Sequence, residues 1–121
     1  MKTEKIVLNK CYGGFEISDE AIEELLRRKG IKFKTVSDEY GNLIFFDEKD
    51  EEIDFYYGTD INVRTDKELI KLIEEKGSYF VSRCCAKLEV EEVEKGKKFI
   101  IDEYDGYEEI KYIDDFDWII L

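Results

Sequence analysis

Three groups of residues have types and spacing that could do chemistry. The segment Asn9-Lys10-Cys11-Tyr12-Gly13-Gly14-Phe15 offers an ammonium, a thiol and two consecutive glycines whose amides could face an anion. Arg64, just ahead of Thr65-Asp66, supplies a guanidinium that could pair with the acidic C-terminal strands or clamp the carboxylate or phosphate of a ligand. Lys10, Gly13, Gly14 and Arg64 together form a candidate set for binding an anionic metabolite or nucleotide. The third group is Asp102, Glu103, Tyr104, Asp105, Tyr107, Glu108 and Glu109, which gathers carboxylates and tyrosines around Asp105-Gly106. Clustered carboxylates can hold a divalent cation and support hydrolysis. Carboxylates interleaved with tyrosines can instead anchor a positively charged protein.

Each group also has a plainer reading. The glycines could serve a tight crossover while Tyr12 and Phe15 pack on the core. The loop matches neither the Walker A pattern nor GxGxxG, and Glu16, Asp19 and Glu20 follow it, where they would repel a phosphate. Cys11 lies beside Lys10, which could lower a thiol pKa, but a buried or inert cysteine is the simpler expectation, and the same holds for Cys84-Cys85. The hairpin acids fail the EF-hand pattern: with Gly106 at loop position 6, Ile101 and Tyr112 would occupy the end positions, and neither offers a carboxylate.

Composition removes whole classes of function. The 121 residues include no histidine, so imidazole bases, Ser/His and Cys/His nucleophile pairs and imidazole-ligated metals are unavailable. A formal net charge of -12 opposes direct binding to nucleic acid. Residues 89 to 121 concentrate the acidity, with 12 acids against 4 bases. Hydrophobic residues make up 43% of the chain, enough to fill a core, so the acidity is not that of a disordered tail. No apolar run is long enough to span a bilayer, and the start of the chain leads into a strand-like run, so a cytoplasmic protein without membrane attachment is expected. Three cysteines without CxxC spacing fit reduced thiols in that setting, and no cofactor is implied.

The elements that must position these groups are partly legible. Ile6-Val7-Leu8 reads as a buried strand. Ser18 is an N-cap, with Ile17 and Ile22 at hydrophobic-staple spacing and Ala21, Ile22, Leu25 and Leu26 in one stripe, so Ser18 to Lys29 is a helix closed by Gly30. Short runs around residues 31 to 35, 43 to 46 and 53 to 57 suggest three strands. Thr65-Asp66-Lys67-Glu68 matches a capping box opening a second helix, which Gly77 stops. Alternation at Ala86, Leu88 and Val90, a run from Phe99 to Tyr104, and Tyr107 to Ile113 beyond a type I′ turn at Asp105-Gly106 give three further strands. Phe116 to Leu121 packs or pairs at the end. The expected architecture is a single α+β domain over residues 1 to 121, in the order β-α-βββ-α-βββ, with two helices on a mainly antiparallel sheet.

Three stretches together resemble a family of small uncharacterised proteins encoded by phages and prophages. They are Asn9 to Phe15 with Ser18-Asp19-Glu20-Ala21, then Arg64-Thr65-Asp66 leading into Leu69 to Gly77, then Cys85-Ala86-Lys87-Leu88 with Ile101 to Gly106. The chain departs from that pattern in its long 31 to 60 segment and in lacking a proline after Asp66. The resemblance implies a phage or prophage setting and carries no catalytic role. The leading expectation is therefore a non-catalytic acidic protein that binds a basic host protein, as an inhibitor of a nucleic-acid-binding or defence protein whose nucleic acid it imitates. Strand residues on one face recur about every 7 Å, close to the spacing of phosphates along one strand. Small-ligand binding through Lys10, Gly13, Gly14 and Arg64 is the alternative, and a carboxylate-metal hydrolase the third reading. Aromatic residues near the C-terminus also allow a homodimer.

Overall fold

The computed structural model describes residues 2–113, and the expectation for Phe116 to Leu121, Trp118 included, lies outside the described residues. Strand β1, Thr3–Asn9, pairs antiparallel with β4, Leu88–Glu94, with Val7 opposite Val90. All of Ile6, Val7 and Leu8 are buried, because this ribbon is covered on both faces. Val7 and Leu88 face the helices. Ile6, Leu8 and Val93 face the other way, against Phe99, Ile101 and Ile110 of the hairpin formed by β5, Phe99–Tyr104, and β6, Tyr107–Tyr112. The β1–β4 ribbon is thus a middle layer between helices and hairpin.

Helix α1, Asp19–Arg28, follows its sequence signals closely. The Ser18 hydroxyl accepts from the Ala21 amide at 3.2 Å, and Asp19 and Glu20 occupy the first turn. At the other end the Ile31 amide donates to the Leu26 carbonyl and the Gly30 amide to that of Arg27, a Schellman closure that uses the φ of +70° at Gly30. Ala21, Ile22, Leu25 and Leu26 are all buried. They meet Leu69, Ile70, Leu72 and Ile73 of α3, Lys67–Lys76.

The capping box is a correction. Residues Ile61–Arg64 form a short helix, α2, capped by Asp60, and the Thr65 hydroxyl donates back to the Ile61 carbonyl. Asp66 caps α3 instead, accepting from the Leu69 amide at 3.1 Å. The preceding helical turn pulls Thr65 into its own end, and the cap moves one residue along. A fourth short helix, α4, Ser78–Val81, follows Gly77.

The strand expected at 53 to 57 is a second correction. Strand β2, Lys34–Ser37, pairs with β3, Leu43–Phe46, but Phe55–Tyr57 is a 3₁₀ turn. A strand would send the Phe55 and Tyr56 rings to opposite faces. The turn lets both rings meet the Lys29 ammonium, at 4.9 and 5.0 Å, while the Tyr56 hydroxyl donates to Asp66 at 2.8 Å. Lys29 also pairs with Asp66 at 2.8 Å, so α1, the turn and the α3 cap are tied at one point.

The fold is therefore mixed α+β with antiparallel pairing. In place of two helices on one sheet, the described residues hold four α-helices and three separate two-stranded ladders.

Candidate functional site

The residues singled out in the sequence come together, but not as an open cleft. Asp105 and Gly106 take positive φ, 51° and 92°, in the β5–β6 turn. The Gly13–Gly14 loop closes over that turn. The Gly13 amide donates to the Asp105 carbonyl at 3.0 Å, and the Asn9 side-chain amide donates to the carbonyls of Gly106 and Cys11. A Cβ on Gly106 would stand 2.3 Å from the Gly14 nitrogen, so only glycine permits the approach.

Beneath the turn, Arg64 meets Glu108. The guanidinium donates to both carboxylate oxygens, at 2.8 and 2.7 Å, and also to the carbonyls of Val7 and Thr59. It lies over the Phe15 ring, with 4.7 Å to the centroid. Glu108 accepts further from the Asn9 amide at 2.8 Å. Both side chains are only 6% exposed. The Val7 carbonyl and the Asn9 amide are the edge groups of β1 that face away from β4. A neighbouring strand would donate to one and accept from the other, and the ion pair does both. The Lys10 ammonium joins from the side, donating to the Glu108 carbonyl at 2.9 Å and pairing with Glu91 at 3.4 Å.

This arrangement corrects two expectations. Lys10, Gly13, Gly14 and Arg64 all lie against the β5–β6 hairpin, yet the donors go to the chain itself: Arg64 to the Glu108 carboxylate, Lys10 to the Glu108 carbonyl and Gly13 to the Asp105 carbonyl. An external anion would have to displace these acceptors. Glu108, in turn, is buried and does not belong to an exposed acidic face.

The remaining hairpin residues divide by strand alternation. Asp102 stands opposite Glu109 and Tyr104 opposite Tyr107, and all four share the outer face. Glu103 pairs with Glu108 on the inner side and is exposed, as is Asp105 at the turn. Because Asp102 and Glu103 point to opposite faces, Asp102, Glu103 and Asp105 do not converge as a metal site would require. Among the described residues no group of three or more Cys, Asp or Glu side chains is placed to hold a metal ion.

The outer face is concave. Tyr12, Asp102, Tyr104, Tyr107 and Glu109 line a depression of about 450 Å³. Tyr12 is not a core residue: it is 58% exposed, and its ring stands 5.8 Å from that of Tyr107. Tyr104 is 78% exposed. The expectation that Tyr12 packs on the core fails because its place beside the hairpin follows from the Gly13–Gly14 reversal, and no local pattern announces it.

A second depression, of about 1040 Å³, brings Cys11, Cys84 and Cys85 to one side of the molecule beside Tyr79. Cys84 and Cys85 are exposed rather than buried, and sit in a turn closed by the hydrogen bond from the Ala86 amide to the Arg83 carbonyl at 3.0 Å.

No helix among the described residues is long and apolar enough to cross a membrane. No protein-family model, no curated protein and no solved structure matches this chain.

Proposed function

We propose that this chain is a non-catalytic binding protein that recognises a positively charged protein through the outer face of the β5–β6 hairpin. The target class is a host nucleic-acid-binding or defence protein, in the phage or prophage setting that the sequence motifs suggest. The observation carrying this reading is the shared depression formed by Asp102, Glu109, Tyr12, Tyr104 and Tyr107. It combines exposed carboxylates, which steer a basic partner, with exposed aromatic rings, which anchor one. Glu103 and Asp105 extend the acidic surface around the hairpin tip, and Glu108 holds the hairpin in place without touching the partner.

The test is capture from host extract by the full chain and by D102N/E109Q, at low and high salt and with duplex DNA as competitor. A basic protein should be retained at low salt and released as ionic strength rises, since exposed charges are screened over about 8 Å at physiological salt. DNA should compete for it, and the amide variant should lose it. Capture that is undiminished in D102N/E109Q would overturn the reading.

A further inference from the structure

The two faces of the β5–β6 hairpin carry the same electrostatic problem and solve it differently. Glu103 stands opposite Glu108 on one face, and Asp102 opposite Glu109 on the other. Like charges directly across an antiparallel pair repel, so each pair calls for a cation. On the inner face the chain supplies it. The Arg64 guanidinium bonds both oxygens of Glu108 and stands over the Phe15 ring, 4.7 Å from its centroid.

The outer pair has no such answer. Glu109 meets only Lys111 among the described residues, at 3.5 Å, with both side chains about half exposed, and no ion pair there reaches Asp102. Beside these carboxylates stand the same kind of partner that Phe15 offers within: aromatic rings, those of Tyr12, Tyr104 and Tyr107. Lys10 already lies 5.5 Å from the Tyr107 centroid, whereas no described cation stands over Tyr12 or Tyr104.

We infer that the outer depression receives an arginine side chain of the partner, its guanidinium bound between Asp102 and Glu109 and stacked on Tyr104. The inference rests on the binding reading above and adds the residue type that is read. The molecule itself holds one cation of each kind: Arg64 takes both oxygens of the Glu108 carboxylate, whereas Lys29 meets a single oxygen of Asp66, with the Phe55 and Tyr56 rings around a point charge. A pair of carboxylates flanked by exposed rings matches a flat fork of donors, the geometry of a guanidinium.

The experiment titrates the full chain with tetra-arginine amide and with tetra-lysine amide, peptides of equal charge, and follows the tyrosine ring resonances. The arginine peptide should shift the Tyr104 and Tyr107 signals and bind about tenfold more tightly than the lysine peptide. Y104A should bring the two affinities together, Y104F should keep the preference, and D102N/E109Q should abolish binding of both. All these positions are exposed or half-exposed, and the unfolding transition of each variant checks its fold. Equal affinities that are both lost in D102N/E109Q would overturn arginine selection and leave the acidic-surface reading standing. Absence of binding by either peptide, or binding indifferent to D102N/E109Q, would overturn both.

Discussion

Arg64 and Glu108 lie 44 positions apart and meet at the free edge of β1, where their bidentate pair takes the place of a hydrogen-bonding strand. The hairpin is thereby fixed to the β1–β4 ribbon without a ladder between them. Everything proposed for the outer face depends on this anchor, because it sets which hairpin residues point outward.

Removing one partner of that pair should be severe. E108A or R64A leaves an uncompensated buried charge and strands the Asn9 amide or the Val7 carbonyl, a loss of about 3–5 kcal/mol. The double variant R64M/E108L should recover only part of the stability, since an apolar pair removes the lone buried charge but leaves both the Val7 carbonyl and the Asn9 amide without that partner. Urea unfolding of the four proteins would check it. Single and double variants of equal stability would contradict the buried-pair account.

Glycine at position 106 should be indispensable. G106A puts a Cβ against the Gly14 nitrogen at a φ of +92°, and should cost more than about 2 kcal/mol. G41A is the control: its φ is also positive, +83°, but nothing lies within 4 Å, so only the backbone cost of about 1 kcal/mol applies. Thermal unfolding midpoints should rank wild type, G41A, G106A in falling order.

The cap of α3 can be assigned by substitution. D66A should lose about 1–2 kcal/mol, because Asp66 serves the Leu69 amide, Lys29 and the Tyr56 hydroxyl together. T65A removes only a hydroxyl bonded back to Ile61 and should cost less. Chemical denaturation would reverse this order if Thr65 were the cap.

Tyr56 should make stability fall at alkaline pH. Burial, and then its hydrogen bond to Asp66, push the phenol well above its ordinary value of 10.0. The folded chain keeps the proton where the unfolded chain releases it, so the contribution is complete below pH ~10 and declines as pH rises beyond it. Y56F has no proton to lose. Its stability should therefore depend less on pH above ~10 than that of the wild type. Unfolding measured from pH 8 to 11 would show parallel curves if Tyr56 titrated normally.

Local signals were readable wherever the chain makes its own contacts. The Ser18 cap, the Gly30 closure and the Leu25–Leu26 stripe depend on neighbours within a turn or two, and α1 matches them. The Asp105-Gly106 turn is likewise local, since its residues tolerate positive φ. The Thr65 capping box was misleading because its outcome depended on whether residues 61 to 64 were already helical. Phe55 to Tyr57 looked like a strand because apolar runs do not reveal that Lys29 and Asp66 wait for those rings.

The candidate residues divide in the same way. Sequence alone determined the inventory: a guanidinium at 64, paired glycines at 13 and 14, carboxylates and tyrosines from 102 to 109, and no imidazole anywhere. Tertiary structure alone decided that Arg64 is spent on Glu108, that Glu108 is buried while Asp102 and Glu109 are exposed, and that Tyr12 completes their depression. The physical reason is that a charge in a sequence has no environment. Whether it meets water, a ligand or its own chain is fixed only when distant strands, here β1 and β6, are brought within hydrogen-bonding distance.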